Sequence, residues 1–509
     1  MFLIRFPLPA VSSLLLSHWF SSRFHLLLAA GAALGLVAWW WLGKDVGVGR
    51  RRWQANGRSA SSGARWAKGA ELSRLRVSRP GGGRIIVGRH RRRLIGLERC
   101  HSLLVVGPTQ TSKTVGLAVP AILEWEGPVV AASVKTDLAT VSWRHRQHLG
   151  QVFFFDPTHS TPFPADSWSP LQSVVDWSGA RRIAKALCDG ARPMREGVGD
   201  SDFWFAAAAR ALAPLLLAAS CAEGGMGQVL EWVETEEYDD PEQILITSGA
   251  SEATRTLRSL LAKDHRFVSS VWATAEVILA AFRDEPCSLG RRRIDPKALV
   301  RSRSDTLFIC APPYEQARLR PVFSALLSEV FFEAFNLASR TGKPLDPPML
   351  VVLDEAANIA QLEELDTVAS TSSGQGIALV SVWQDLAQIQ ARYGPRWATI
   401  LNNHRAKLVL GGISDPSTLE HVARVTGEAQ IDVVSRTHDK GGRFAATWGP
   451  AWRSLIAPAD LRTMPNGCGV LVYGGLPPAM VRLRPWFKEK RLARLVARSQ
   501  QPSNQTDNW

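Results

Sequence analysis

The sequence predicts an α/β fold: a sheet with parallel strands at its centre, interrupted by an all-α insertion and preceded by an N-terminal transmembrane anchor. Three observations predict it. Short apolar runs at 103–106, 349–353 and 377–381 each end in polar or acidic residues, as buried parallel strands do at their tips. Between about Asp176 and Leu289 strand signals almost vanish, and apolar residues recur at helical spacing, as in Phe203 to Leu217 and Val268 to Phe282. Residues 24–42 form one nearly unbroken apolar stretch.

Composition narrows the classes. With 509 residues, 46% hydrophobic and 21% charged, the chain is too long and too apolar for disorder or a small disulfide scaffold, and two or three domains are expected. Its six cysteines are scattered, with no C-x-x-C and no Cys/His grouping at ligand spacing, which predicts reduced thiols and no zinc. The net charge of +14 is concentrated: residues 1–100 hold 18 Lys/Arg against 3 Asp/Glu, and the remainder is close to neutral. A chain-wide basic surface for nucleic acid is therefore not indicated.

From Phe24 to Leu42 the chain reads FHLLLAAGAALGLVAWWWL, which as a helix spans about 28 Å, close to the hydrocarbon thickness of a bilayer. Trp39, Trp40 and Trp41 suit the headgroup region, and Lys44, Arg50, Arg51 and Arg52 follow, so the C-terminal side is expected to be cytoplasmic. A cleaved signal peptide has its cations before the apolar run, the reverse of this order. The earlier apolar stretch, residues 2–20, reads either as a second span or as an interfacial helix. Residues 44–82, rich in Arg, Gly and Ser, read as a juxtamembrane linker attracted to anionic lipid, with loose nucleic-acid contact or a merely solvated tether as alternatives.

The strand at Leu103–Val106 runs into Gly107, Pro108, Thr109, Gln110, Thr111, Ser112, Lys113 and Thr114, followed by an apolar helical pattern. This is the strand, loop, helix order of a phosphate-binding loop. There, backbone N–H groups face the phosphates, a Lys reaches the β and γ phosphates and a Thr hydroxyl meets Mg²⁺. Ser112 stands where the motif has its second glycine, and its Cβ is expected to strain the loop or weaken nucleotide binding. Alone, the octapeptide reads equally as a turn. The second element strengthens the nucleotide reading: the 349–353 strand ends in Asp354 and Glu355, two carboxylates at a strand tip, where α/β proteins bind ligands. In an NTPase of this plan the first holds Mg²⁺ through water and the second polarises the attacking water. An acidic helix start is the plain alternative. Gln384, just past the third run, reads either as a γ-phosphate sensor or as an amide satisfied by backbone.

Together these residues resemble the TraG/TraD-type coupling proteins of type IV secretion and conjugation, within the RecA-like and HerA/FtsK-like motor ATPases. The resemblance runs from about Gly83 to Arg484. It rests on LLVVGPTQTSKT at 103–114, ASVKTDL at 132–138, FFFDP at 153–157, SPL at 169–171, DFW at 202–204 and TLFICAPP at 306–313. MLVVLDEAANI at 349–359, GIALVSVWQDLAQI at 376–389, RYG at 392–394 and RSLIAPADLRTMPNGCGVLVYGGLPP at 453–478 continue it in order. The resemblance implies a RecA-like P-loop domain at 83–175 and 290–490, an all-helical insertion at 176–289 and a flexible tail at 491–509. It implies an ATP- and Mg²⁺-dependent ATPase in the inner membrane, its bulk cytoplasmic, that assembles as a homo-hexamer. Such a ring receives DNA with its relaxase, or a protein substrate, and feeds it to secretion-channel components. Lys113, Glu355 and Gln384 would take the catalytic roles, and Thr114 and Asp354 the magnesium. A DNA pump of the FtsK/HerA kind and a receptor scaffold with weak or no hydrolysis are the competing readings.

Two departures bear on catalysis: Ser112 itself, and the absence of arginine in Ser372-Ser373-Gly374-Gln375-Gly376, where many relatives carry a finger toward the neighbouring subunit. Arg392, Arg405 and Arg424 are candidate substitutes. The acidic run from Glu231 to Glu242 in the helical insertion disfavours DNA contact and suits either a basic protein substrate or a solvated face.

Overall fold

The computed structural model describes residues 63–192, 201–283, 290–312, 314–359, 362–438 and 444–500. The expected spans at 24–42 and 2–20 lie outside the described residues; of the flexible tail expected at 491–509, the part to residue 500 is instead a helix, Lys490–Gln500, packed through buried Leu492 and Val496, and the rest lies outside the described residues. The strands in chain order are β1 (Arg76–Val77), β2 (Ile86–His90), β3 (Arg93–Gly96), β4 (Leu103–Val106), β5 (Val129–Ser133), β6 (Val152–Phe155) and β7 (Thr306–Cys310). They continue as β8 (Met349–Asp354), β9 (Ile377–Trp383), β10 (Ala406–Leu410), β11 (Glu428–His438), β12 (Phe444–Ser454), β13 (Cys468–Tyr473) and β14 (Ala479–Arg482).

All but β11 and β12 join one twelve-stranded sheet, in the order β1, β3, β2, β14, β13, β10, β4, β9, β8, β5, β7, β6. From β10 to β6 every neighbouring pair is parallel. From β10 outward through β13, β14, β2, β3 and β1 every pair is antiparallel. Each residue of β4, β5, β7, β8 and β9 is buried, which is why their sequences are largely apolar runs without polar alternation. The α/β class expected from those runs is the class observed.

Among the described residues between β6 and β7 every element is helical: Trp177–Ala191, Ser201–Cys221, Met226–Glu234, Asp239–Thr247, Ser251–Leu261, His265–Leu279, Pro296–Arg301 and short turns. Side chains start two of these helices, Asp176 accepting from the Gly179 N–H at 2.7 Å and Asp264 from the Arg266 N–H at 3.0 Å. The helices share one hydrophobic cluster with a face of the sheet. Asp202–Cys221 and Gln316–Thr341 are long and apolar enough to cross a bilayer, but their most apolar windows are 56% and 61% buried within the protein, as core helices are. Part of the acidic run is tied up locally. Glu234 pairs with Arg283 at 2.5 Å, Glu242 with Arg258 at 2.6 Å, and Asp240 accepts from the Trp232 indole at 3.1 Å.

Two further features differ from the expectation. The stretch read as linker is packed from residue 63 onward: Leu72 and Leu75 are buried, and β1 pairs with β3. Leucines spaced among arginines hid this core contact. A separate hairpin, β11 with β12, stands beside the main sheet, with Ile431, Val433 and Trp452 exposed.

The helix after the phosphate loop shows how distant sequence shapes the site. Pro120 has no N–H and cannot bond the carbonyl four residues back, and the chain before it opens into a wide π-turn at Thr114–Ala118. The Gly116 carbonyl accepts instead from the Arg484 N–H at 3.1 Å, and Gly116 lies so close to Leu483 that a Cβ would sit 3.0 Å from its Cβ. The Arg484 guanidinium forms a bidentate pair with Glu124 at the far end of the same helix, at 2.8 and 2.9 Å, both side chains 3% exposed. Arg491, an exposed side chain, also reaches Glu124 at 3.3 Å, so removing Arg484 leaves the buried carboxylate with only this weaker partner at its rim.

Arg484→Ala is therefore expected to lower unfolding free energy by about 3 kcal/mol, seen as a lower denaturant midpoint at constant slope. His404 gives a pH test. Its ring is fully buried, Nδ1 donating to the Ile400 carbonyl at 2.8 Å and Nε2 accepting from Ser381 Oγ at 3.0 Å, and burial holds its pKa at about 4, below the ordinary 6.5. The unfolded chain binds the extra proton first, so stability is full above 6.5 and is lost as pH falls toward 4, by up to about 3 kcal/mol. The slope should flatten in His404→Gln.

Candidate nucleotide-binding site

The sheet order puts β4, β9 and β8 side by side, so their C-terminal tips deliver Gly107, Gln384 and Asp354 to one edge. The Gly107 N–H donates to the Trp383 carbonyl at 3.1 Å, fastening the loop to the tip of β9. A Cβ at Gly107 would lie 3.0 Å from Leu410 Cβ and 3.1 Å from Thr111 Oγ1, so the loop packs tightly against the end of β10. Thr111 Oγ1 closes the turn by donating to the Pro108 carbonyl at 2.8 Å.

Gln110 and Ser112 both have left-handed backbone, φ +62° and +66°, and Lys113 returns to the right-handed helical region. Alternation of this kind turns successive N–H groups toward one point and makes an anion nest. The second-glycine position thus needs the conformation glycine adopts freely, and the serine there is strained. Asn466, from the loop before β13, meets both residues: its Nδ2 donates to the Gln110 carbonyl at 2.9 Å, and its Oδ1 accepts from Ser112 Oγ at 3.1 Å.

Lys113 is almost wholly buried and folds back on its own loop, donating to the carbonyls of Gly107 and, at 2.7 Å, of Pro108. Burial pushes its pKa down; the nearby Asp354 and Glu355 oppose that shift and Lys135 adds to it. Thr114 Oγ1 donates to Asp354 Oδ2 at 2.9 Å, joining residues 240 positions apart. Burial raises the Asp354 pKa, with Glu355 adding to the shift, while the Thr114 hydroxyl, Lys113 and Lys135 oppose it. Glu355 occupies a left-handed turn, φ +63°, between β8 and the helix Ala356–Ile359. Gln384 sits half-buried at the tip of β9, its N–H bonded to Gln388 Oε1 at 3.0 Å, just ahead of the Asp385 cap of the next helix.

The loop from Gly107 to Thr114, Asp354, Glu355 and Gln384 are thus brought to one edge. Two residues escaped the sequence reading. Lys135, in the ASVKTDL element, lies two positions beyond Ser133, which aligns with Asp354 across β5 and β8, and its charge is felt by both Lys113 and Asp354. Asn466 lies in a late segment whose motif gave no hint of the loop. Of the three substitute arginines, Arg392 is interior, its side chain 4% exposed and turned to the Asp189 carbonyl and Glu363. Arg405 precedes β10, at the opposite end of the strand from the phosphate loop, and lies over the Tyr473 ring. Arg424 is exposed on the helix Pro416–Thr426.

A buried ammonium held only by carbonyls, an anion nest, and a buried carboxylate bonded to the first helical hydroxyl fit a nucleoside triphosphate with its magnesium. Fold and loop together define a P-loop protein with a large, mainly parallel sheet. The profile described as Type IV secretory system Conjugative DNA transfer matches residues 83–508, and the chain belongs to that family of type IV coupling proteins. It is 24% identical over 409 residues to a conjugal transfer protein TraG of Escherichia coli, covering 72% of this chain and 62% of the relative. It is 23% identical over 420 residues to Protein VirD4 of Rhizobium radiobacter, covering 79% and 59%. The chain thus spans about 60% of the length of these curated relatives. Its fold is similar to the unbound bacterial conjugative coupling protein TrwBdeltaN70, with TM-score 0.66 and 19% identity over 84% of this chain and 95% of the other. It is also similar to the plasmid coupling protein TrwB in complex with ADP and Mg²⁺, with TM-score 0.63 and 20% identity over 84% and 96%.

Proposed function

We propose that this chain is an ATP-hydrolysing coupling protein, anchored in the inner membrane by its N-terminal segment and working as a homo-hexamer. It receives DNA with its relaxase, or a protein substrate, and drives it toward secretion-channel components. One observation carries the nucleotide part of this reading: Thr114 and Asp354, far apart in sequence, share a hydrogen bond beside the buried Lys113. Family membership and the TrwB complex with ADP and Mg²⁺ support it.

When bound, magnesium ATP supplies a phosphoanhydride whose cleavage releases free energy. The protein groups hold and orient it. The loop N–H groups cradle phosphate, and Lys113 exchanges the Gly107 and Pro108 carbonyls for phosphate oxygens, regaining the charge stabilisation that burial removed. Thr114 and Asp354 would hold the metal and its water, Glu355 would take a proton from the attacking water, and Gln384 would orient it. Lys135 adds positive potential at the same edge. The helical segment at 176–289 is assigned to substrate reception. The strained Ser112 favours a second reading, a receptor with weak or no hydrolysis.

Hydrolysis by the full chain in nanodiscs, with DNA present, separates these readings. Lys113→Ala and Glu355→Gln are each expected to lower kcat by about 100-fold or more. A wild-type rate equal to both variants would overturn the motor. Lys135→Ala is expected to weaken binding of a fluorescent ADP analogue about fivefold; unchanged affinity would remove Lys135 from the phosphate field.

A further inference from the structure

Gln110 and Ser112 place Cβ atoms in left-handed backbone on either side of Thr111. L-residues leave that region readily, so a nest made from them needs an external hold that glycines would not. One side chain reaches both. The Asn466 amide is used at both ends and in matching sense, its N–H donating to the Gln110 carbonyl at 2.9 Å and its oxygen accepting from the Ser112 hydroxyl at 3.1 Å.

Asn466 is itself fixed by backbone. It sits between Pro465 and Gly467, whose φ is +76°, in a turn closed by the Cys468 N–H on the Pro465 carbonyl at 3.0 Å. The Gly467 carbonyl accepts from the Leu483 N–H at 2.7 Å. Beside it, the Gly412 N–H bonds the Arg462 carbonyl at 3.1 Å, and Gly411 lies so close to Met464 that a Cβ there would sit 2.5 Å from the Met464 oxygen. The turn is braced against the same β10 end that packs on Gly107, so Asn466 presents its amide to the loop from a rigid support.

The geometry points to Asn466 as a positioning residue that holds the phosphate nest in its binding shape, and to Ser112 as the residue that makes this hold necessary. This rests on the nucleotide reading of the loop and deepens it. The Ser112 side chain supplies both: its Cβ is a source of the strain, and its hydroxyl is one handle by which Asn466 restrains it. A glycine in place of Ser112 would remove strain and handle together and leave only the Gln110 carbonyl bond.

The test is a double-mutant cycle on the full chain: wild type, Asn466→Ala, Ser112→Gly and the double variant, titrated with a fluorescent ADP analogue and Mg²⁺. Asn466→Ala should weaken binding about tenfold in the wild-type background, the worth of two hydrogen bonds on a strained loop, and only about twofold when combined with Ser112→Gly. Ser112→Gly alone should bind at least as tightly as wild type. Wild-type affinity in Asn466→Ala overturns the proposal. So does an equal loss in both backgrounds, including a loss caused by failure to fold, because that would not depend on residue 112. These outcomes leave the nucleotide reading standing. No binding by either the wild type or Ser112→Gly overturns that reading and this inference with it.

Discussion

The site depends on strand adjacency. Asp354 can meet Thr114 across 240 residues only because β9 lies between β4 and β8 in a parallel block, so that all three tips end on one edge. Parallel neighbours need long crossovers, and the helical stretch between β6 and β7 is one of them. Fully buried strands make the register rigid, and the positions of Gly107 and Asp354 follow from it.

That rigidity creates an electrostatic tension. Lys113 and Asp354 are both buried, yet the ammonium bonds loop carbonyls and the carboxylate bonds a hydroxyl. Each has its charged form disfavoured by burial, the lysine pKa moving down and the aspartate pKa up. A ligand bringing both negative phosphate and a cation would relieve both at once. Such preorganised, incompletely compensated groups mark a site built for something it must bind.

Much of this was legible in the sequence, for physical reasons. Val-rich and Leu-rich runs without alternation identify β4, β8 and β9 because both their faces are covered, and Lys113, Thr114, Asp354 and Glu355 stand at fixed offsets from them. The helical stretch was legible because its 3.6-residue periodicity is local. Asn466 and Lys135 were not, because their meaning lies in contacts set by sheet order. Leu72 and Leu75 were hidden among arginines, although their burial brings the supposed tether into the fold. Nor does the octapeptide disclose that its serine is left-handed; that follows only from the backbone path.

The bonds from Arg484 to Gly116 and Glu124 set a timetable for biogenesis. On the ribosome, residues 114–124 emerge long before the segment that completes their helix, and the Asn466 turn is also late. The nascent chain therefore reaches residue 484 before its loop can close to final form. Competence for nucleotide therefore waits until residue 484 has been made, after any earlier membrane segment has had time to insert.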